Sequence, residues 1–358
     1  MKDLVVFNGN DGQAAQAKQF IESLRDPKRG SFKGDIVIIS TQLSPKVRSW
    51  YEAMGVIVFE RRIVEVLDRW ASWLDIAAFE HARLSVNQKV RYGKNQEKLL
   101  YKLVKNDRIE RCALLKKIFK VYAWFNPRWK QRLREEFDIW HRKHLSKLNL
   151  IPLLESNRAS WSRVLVCDVD MVFQRPVALL FDQVQVGKVL IAEEIEPMIP
   201  KEEGGSPVYG SNVIVREKYP EWSECVELGE GARREVNVGV FLGARDTVLD
   251  TAKEWRSLML SSGYESLFFC HIYDFFHEQD FFRLLRDKYK DKFIDVGLNY
   301  IYHGCNAGIR DIEYKEGIFS RVSNNETPVI MHFAGGVWKQ FEHINAEYLK
   351  PVDAIIEN

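Results

Sequence analysis

The sequence predicts an α/β protein, a sheet flanked by helices and interrupted by a basic helical insertion. Three observations carry this reading. Short apolar runs alternate with helical periodicity across residues 3–60, the rhythm of parallel strands joined by crossover helices. That rhythm stops near residue 64 and resumes near residue 163. A chain of 358 residues with 46% apolar content has enough material to bury a sizeable core of this kind.

Residues 3–7 (DLVVF) read as a buried strand, NGNDG as a turn, and 13–25 as an amphipathic helix. DIVIIST (35–41) and VIVFE (56–60) are further strands, with a helix over 44–55 between them. Crossovers between such strands are right-handed. From about 64 to 156, strand signals are few and helical periodicity dominates. Between Lys89 and Leu150 there are 18 Lys and Arg against 6 Asp and Glu. The whole chain carries only +2, so the remainder is acidic. The strand pattern returns with RVLVCDVDMVF (163–173), VGKVLIAEE (186–194), SNVIVRE (211–217) and NVGVFLG (237–243). Helices are expected over 248–261 and 277–289, and late strands at KFIDVG (292–297) and PVIMHFAGG (328–336). This organisation predicts one domain over 1–350 with a helical insertion at about 64–150, leaving 351–358 as a C-terminal tail.

Composition excludes several classes. The five cysteines are widely spaced and lack a CxxC pair, which argues against a disulfide framework or zinc ribbon and for a reducing compartment. The N-terminal apolar run is too short for a signal-peptide core, and no run reaches the 18 apolar residues of a spanning helix. A cytoplasmic location is therefore expected. NGNDG has neither the G-x-G-x-x-G spacing nor a Walker lysine, so the dinucleotide and P-loop readings fail.

The chemistry concentrates at strand ends. Asp168 and Asp170 are one residue apart near the end of the most hydrophobic run. If the strand persists they share a face; if it ends there they meet across a turn. Either way like charges are brought together, which a divalent cation would relieve. The other reading is a plain polar turn. His332, at the end of VIMHFAGG, is a candidate third ligand or a satisfied core histidine. Gly335 and Gly336 after it would let backbone approach a ligand, and Lys339 would offer a charge to a diphosphate. Asn237 and Gly239 open another apolar strand, where an amide suits sugar hydroxyls or simply precedes the strand. Glu278, Gln279 and Asp280 stand at a helix start, where acidic residues are also favoured by the dipole alone.

Taken in order, LVVFNGND (4–11), CDVDMVF (167–173), NVGVFL (237–242), EQD (278–280) and HFAGGVWK (332–339) resemble the motif series of GT-A glycosyltransferases, and within them glycosyltransferase family 8. The resemblance covers about 1–60 and 145–345. It implies a mixed GT-A sheet, Rossmann-like, and a metal-dependent retaining transfer of a hexose from a nucleotide sugar, with a UDP-sugar as donor. Asp168, Asp170 and His332 would hold Mn²⁺ or Mg²⁺, with Asp168 also near the ribose. Asn8, Asn10 or Asp11 would face the base, Asn237 and Gly239 the donor sugar, and Gly335 and Lys339 the diphosphate. Glu278, Gln279 and Asp280 would surround the reacting sugar, as catalytic residues. Glu278 stands where the family has Asp, and Lys339 falls one residue later than usual. The implied acceptor is a glycan or glycolipid of cell-surface polysaccharide synthesis. An inverting transferase, a nucleotidyltransferase and a non-catalytic binding module are the alternatives.

The basic insertion interleaves Lys and Arg with Trp, Phe and Tyr across 116–142. This composition suits either a helix lying on the inner face of an anionic membrane or a solvated basic helix packed by its aromatics. Nucleic-acid binding is not expected, because it leaves the ordered motifs unexplained.

Overall fold

The computed structural model describes residues 2–40, 42–61, 145–156, 161–197, 234–260, 278–304 and 311–357. The basic segment 116–142, the strand expected at 211–217 and most of the insertion at 64–150 lie outside these residues.

A seven-stranded mixed sheet forms the centre. Its strands are β1 (Lys2–Asn8), β2 (Asp35–Ser40), β3 (Ile57–Glu60), β4 (Trp161–Cys167), β6 (Val189–Pro197), β7 (Arg234–Ala244) and β8 (Phe293–Asp295), in the order β3-β2-β1-β4-β7-β6-β8. Strand β7 alone runs against its neighbours, antiparallel to both β4 and β6. The remaining pairings are parallel. Leu4 to Phe7 and Val164 to Cys167 are fully buried, as expected for central strands covered on both faces. Their side chains alternate between two cores. Leu4, Val6, Val164 and Val166 face one, with Trp255 and Phe282. Val5, Phe7, Leu165 and Cys167 face the other, with Phe20, Tyr51 and Phe181.

Helices α1 (Ala14–Arg25) and α2 (Pro45–Ala53) follow β1 and β2. Ser44 accepts from the Val47 amide and Pro45 occupies the first turn, so α2 starts where local chemistry dictates. Two short elements, a 3₁₀ turn at Ser146–Asn149 and α3 (Leu150–Ser156), lead into β4. Beyond β7 run α5 (Arg245–Leu260) and α6 (Glu278–Lys288); the small helix α4 (Ala178–Phe181) precedes β6. Trp255 ties α5 to α6: its ring meets Phe241 and Phe282 edge-on, and its Nε1 donates to the Glu278 carbonyl at 2.9 Å.

The run RVLVCDVDMVF does not continue as one strand. Strand β4 ends at Cys167, Asp168–Asp170 turn, and Met171–Phe173 (β5) enters a second sheet. That sheet has the order β5-β12-β9, with β9 at Ile301–His303 and β12 at Ile330–His332. Strand β12 is antiparallel to β5 and parallel to β9. The late apolar run 328–336 is thus strand only at its centre. After Phe333 the chain winds into a 3₁₀ turn, Ala334–Gln340, where Gly335 and Gly336 remove the side chains that favour a strand. A hairpin of β10 (Ile312–Lys315) and β11 (Ile318–Arg321) follows β9. Helix α7 (Glu342–Tyr348) and helix α8 (Val352–Ile356) close the chain. Residues 351–358, expected as a tail, therefore carry a docked helix. The spacing of Val352, Ile355 and Ile356 gives α8 an apolar face, and Ile355 is buried against Ala14 and Ala15.

Removing the Trp255 ring should loosen both helices. The substitution Trp255→Ala is expected to cost about 3–5 kcal/mol, read as a lower midpoint in urea denaturation of the whole chain.

Candidate metal centre

Three strand ends converge where β4 gives way to the turn. Asp168 and Asp170 come from that turn, and His332 from the end of β12. One ligand atom from each lies within 4.8 Å of the others. The His332 Nε2 atom is 3.4 Å from Asp170 Oδ1 and 3.9 Å from Asp168 Oδ2. His332 is buried, while the two carboxylates are about a quarter exposed, at 27% and 26%. The cluster lies beyond the carboxyl ends of the parallel strands, where open α/β sheets bind ligands.

Backbone bonds fix the turn on both sides. The Asp168 amide donates to the Gly239 carbonyl at 2.6 Å, and the Phe333 amide donates to the Asp170 carbonyl at 2.9 Å. Asp168 is then anchored by one oxygen. Lys147 Nζ meets its Oδ1 at 2.8 Å and also donates to the Val238 carbonyl at 3.2 Å. Asn8, with its amide turned to suit its neighbours, donates to the same Oδ1 at 2.8 Å and to the Cys167 carbonyl at 3.3 Å. Oδ2 faces His332. Burial pushes the Asp168 carboxyl up, but Lys147 and His332 outweigh it and hold it below the ordinary carboxylate value; Glu278 opposes them.

Gly239 is required by contact. A Cβ there would stand 2.5 Å from His332 Cε1, 2.7 Å from Asn237 Oδ1 and 2.8 Å from Asp168 Oδ2. Asn237 Oδ1 in turn accepts from the Gly239 amide at 2.8 Å. The bare backbone at 239 is what lets β7 approach the cluster. Two carboxylate oxygens and one imidazole nitrogen, facing one another, suit a hard to borderline divalent cation.

The other expected positions are distributed around this centre. Glu278 is buried at the start of α6, within electrostatic reach of Asp168. Gln279 is next to it, half-buried, and Asp280 completes the same turn. Asn10 is spent locally: it accepts from the Gly12 amide at 3.0 Å and donates to Gln13 at 2.8 Å. Asp11 accepts the Ser44 amide at 3.0 Å and so braces the start of α2. Gly335 lies in the turn after His332. Lys339 is exposed, with its ammonium 5.4 Å from the Trp338 ring centre.

Two further residues complete the centre: Lys147, which was not singled out from sequence, and His303, whose HxC in YHGCN (302–306) is by itself too little for a metal site. Lys147 is a lysine at 3% exposure within the otherwise apolar run LSKLNLIPLL; a basic residue in such a run is a signal for a buried anion. His303 is fully buried, and its Nδ1 lies 2.8 Å from His332 Nδ1. Its signal is a repeated tripeptide pattern, since Ile301-Tyr302-His303 and Ile330-Met331-His332 pair in register. Burial, then the neighbouring His332, pulls the His303 imidazole well below the ordinary histidine value. Burial and then Asp170 push the Tyr348 phenol up.

No family model matches the chain, and no curated protein sequence does. Solved structures overlap it loosely. Mouse xyloside xylosyltransferase 1 aligns over 94% of this chain and 99% of its own, at 12% identity and a TM-score of 0.45. Galactosyltransferase LgtC, bound to donor and acceptor sugar analogs, aligns over 96% and 95%, at 12% identity and 0.47. Glycosyltransferase GlyE of Streptococcus pneumoniae TIGR4 aligns over 100% and 62%, at 13% identity and 0.46. At this overlap they are similar to the chain in outline only, and the chemistry rests on the residues of the site itself.

Two outcomes follow from the geometry. Gly239→Ala should weaken Mn²⁺ binding by at least about tenfold, since the added methyl displaces two of the three ligands; calorimetric titration with Mn²⁺ reads this. For Lys147→Met, loss of the buried cation should cost on the order of 1–3 kcal/mol near neutral pH. In the intact protein the Asp168 carboxyl is depressed, so its stabilisation is present above the unfolded carboxylate value and is lost as pH falls through the folded one. Without Lys147, burial dominates and the acid-side loss should begin at higher pH, as measured by urea denaturation across a pH series.

Proposed function

We propose that this chain is a metal-dependent glycosyltransferase. It would move a hexose from a nucleotide sugar, a UDP-sugar such as UDP-galactose or UDP-glucose, to a hydroxyl of a glycan or glycolipid, with retention of configuration. The observation that carries the reading is the Asp168–Asp170–His332 cluster, all within 4.8 Å and pressed against a bare backbone at Gly239. A divalent ion held there, when bound, would neutralise charge developing on the leaving diphosphate.

The chain's own residues supply the rest. Lys147 and Asn8 hold Asp168 Oδ1, which directs Oδ2 toward the shared space. His332 and Asp170 complete the oxygen and nitrogen set. Asn237 and Gly239 line the approach from β7, and Glu278 and Gln279 approach from the start of α6. Positioning and preorganised charge, rather than proton transfer through many groups, are what such a transfer asks of a protein. Gln279 is assigned to the reactive face of the sugar, and Gly335 and Lys339 to the diphosphate end. The motif order quoted above supports these assignments. No helix among the described residues is long and apolar enough to cross a membrane. Contact with an anionic surface is assigned to the basic segment 116–142.

A panel of nucleotide sugars with Mn²⁺ tests the reading. Release of nucleoside diphosphate and a raised melting temperature with at least one UDP-sugar are expected. Asp170→Asn should slow release by about 100-fold or more while the apo melting curve stays near that of the parent. Pyrophosphate as the product would indicate nucleotidyl transfer instead. The absence of both turnover and stabilisation with every UDP-sugar would overturn the proposal.

A further inference from the structure

The pair His303 and His332 contains a proton-placement problem with one consistent solution. His303 Nε2 lies 3.2 Å from the Ala192 carbonyl oxygen, which only accepts. That nitrogen therefore carries the hydrogen. His303 is fully buried, and among the described residues the groups that meet its ring nitrogens are a carbonyl and another imidazole, with no anion there to support a charged ring. A neutral ring protonated at Nε2 has a bare lone pair at Nδ1. That lone pair is 2.8 Å from His332 Nδ1. His332 must then donate from Nδ1, so in its neutral form the lone pair is on Nε2, the nitrogen nearest Asp170 and Asp168.

We propose that His303 is a positioning residue that selects the tautomer of His332, through the chain Ala192 carbonyl, His303, His332, so that Nε2 is presented to a divalent cation. The inference rests on the metal-dependent reading above and extends it to a residue outside the ligand set. The opposite tautomer would put a hydrogen on Nε2, where it would hydrogen-bond Asp170 and block ligation. Strand register enforces the arrangement, because His303 and His332 are paired partners on parallel strands β9 and β12. Gly304 continues the contact: its amide donates to the His332 carbonyl at 2.9 Å, and a Cβ there would stand 2.6 Å from Met331 Cε.

The test has a readout that needs no metal and no activity. Long-range ¹⁵N–¹H spectra of the full chain at alkaline pH report the histidine tautomers directly. His332 is expected with its hydrogen on Nδ1, and His303 with its hydrogen on Nε2. His303→Leu removes the acceptor and should move His332 toward the Nε2-protonated form, with Mn²⁺ affinity falling about 10- to 100-fold by calorimetry. His303→Asn places a carbonyl oxygen near the former Nδ1 and should recover most of that loss. A parent His332 protonated at Nε2 would overturn the inference, as would a leucine variant with unchanged tautomer and unchanged Mn²⁺ affinity. Failure of the parent chain to bind Mn²⁺ while showing the expected tautomers would instead count against the metal reading alone.

Discussion

The repulsion between Asp168 and Asp170 is the constraint around which this region is built. At the separations of the cluster, two unit charges cost on the order of 3 kcal/mol at the effective dielectric of a protein surface. Left to themselves, the carboxylates would splay apart or share a proton. The turn does not let them splay. The Asp168 amide donates to the Gly239 carbonyl in β7, and the Asp170 carbonyl accepts from the Phe333 amide just after β12, so the two ends of the turn are tied to different sheets. The turn thus holds both carboxylates at the seam between a seven-stranded and a three-stranded sheet, and Lys147 compensates one of them.

That seam also explains which residues surround it. Strand β7 reaches the carboxylates only because residue 239 has no side chain. Strand β12 arrives in register with β5 on one side and β9 on the other, so His332 stands opposite Met171 and His303. A one-residue slip of β12 would turn His332 to the other face and replace it by an apolar side chain. Ile330 and Met331, both buried, therefore specify the site as firmly as the ligand itself does.

Much of this was legible in the sequence, and the parts that were not have physical reasons. The first βαβ unit showed itself through alternation and through Ser44-Pro45 at a helix start. Asp168, Asp170 and His332 were readable as carboxylates and imidazole at the ends of apolar runs. The division of RVLVCDVDMVF between two sheets was not, because apolar content is the same on both sides of the turn and pairing partners lie about 160 residues away. Lys147 was hidden for a similar reason. Its partner Asp168 is distant in sequence, so the apolar run LSKLNLIPLL marks the lysine as buried without naming the anion it meets. Asn10 and Asp11 show the reverse: their type suggested a ligand, while their bonds go to the turn and to α2.

Lys147 also changes the charge arithmetic of the site. Asp168 and Lys147 cancel, held together at 2.8 Å with the ammonium buried. Counting the carboxylates and the ammonium alone, Asp170 leaves the cluster at one negative charge. A divalent cation would then leave one positive charge, which attracts an anionic ligand; without Lys147 the same set would be neutral. Glu278 adds a further negative charge at the first turn of α6, where the positive end of the helix dipole offsets part of it. A lysine that stabilises the apo turn is therefore also what keeps the loaded site from carrying a net negative charge. The same ion pair serves folding and ligand attraction, and for that reason its loss should be felt in both.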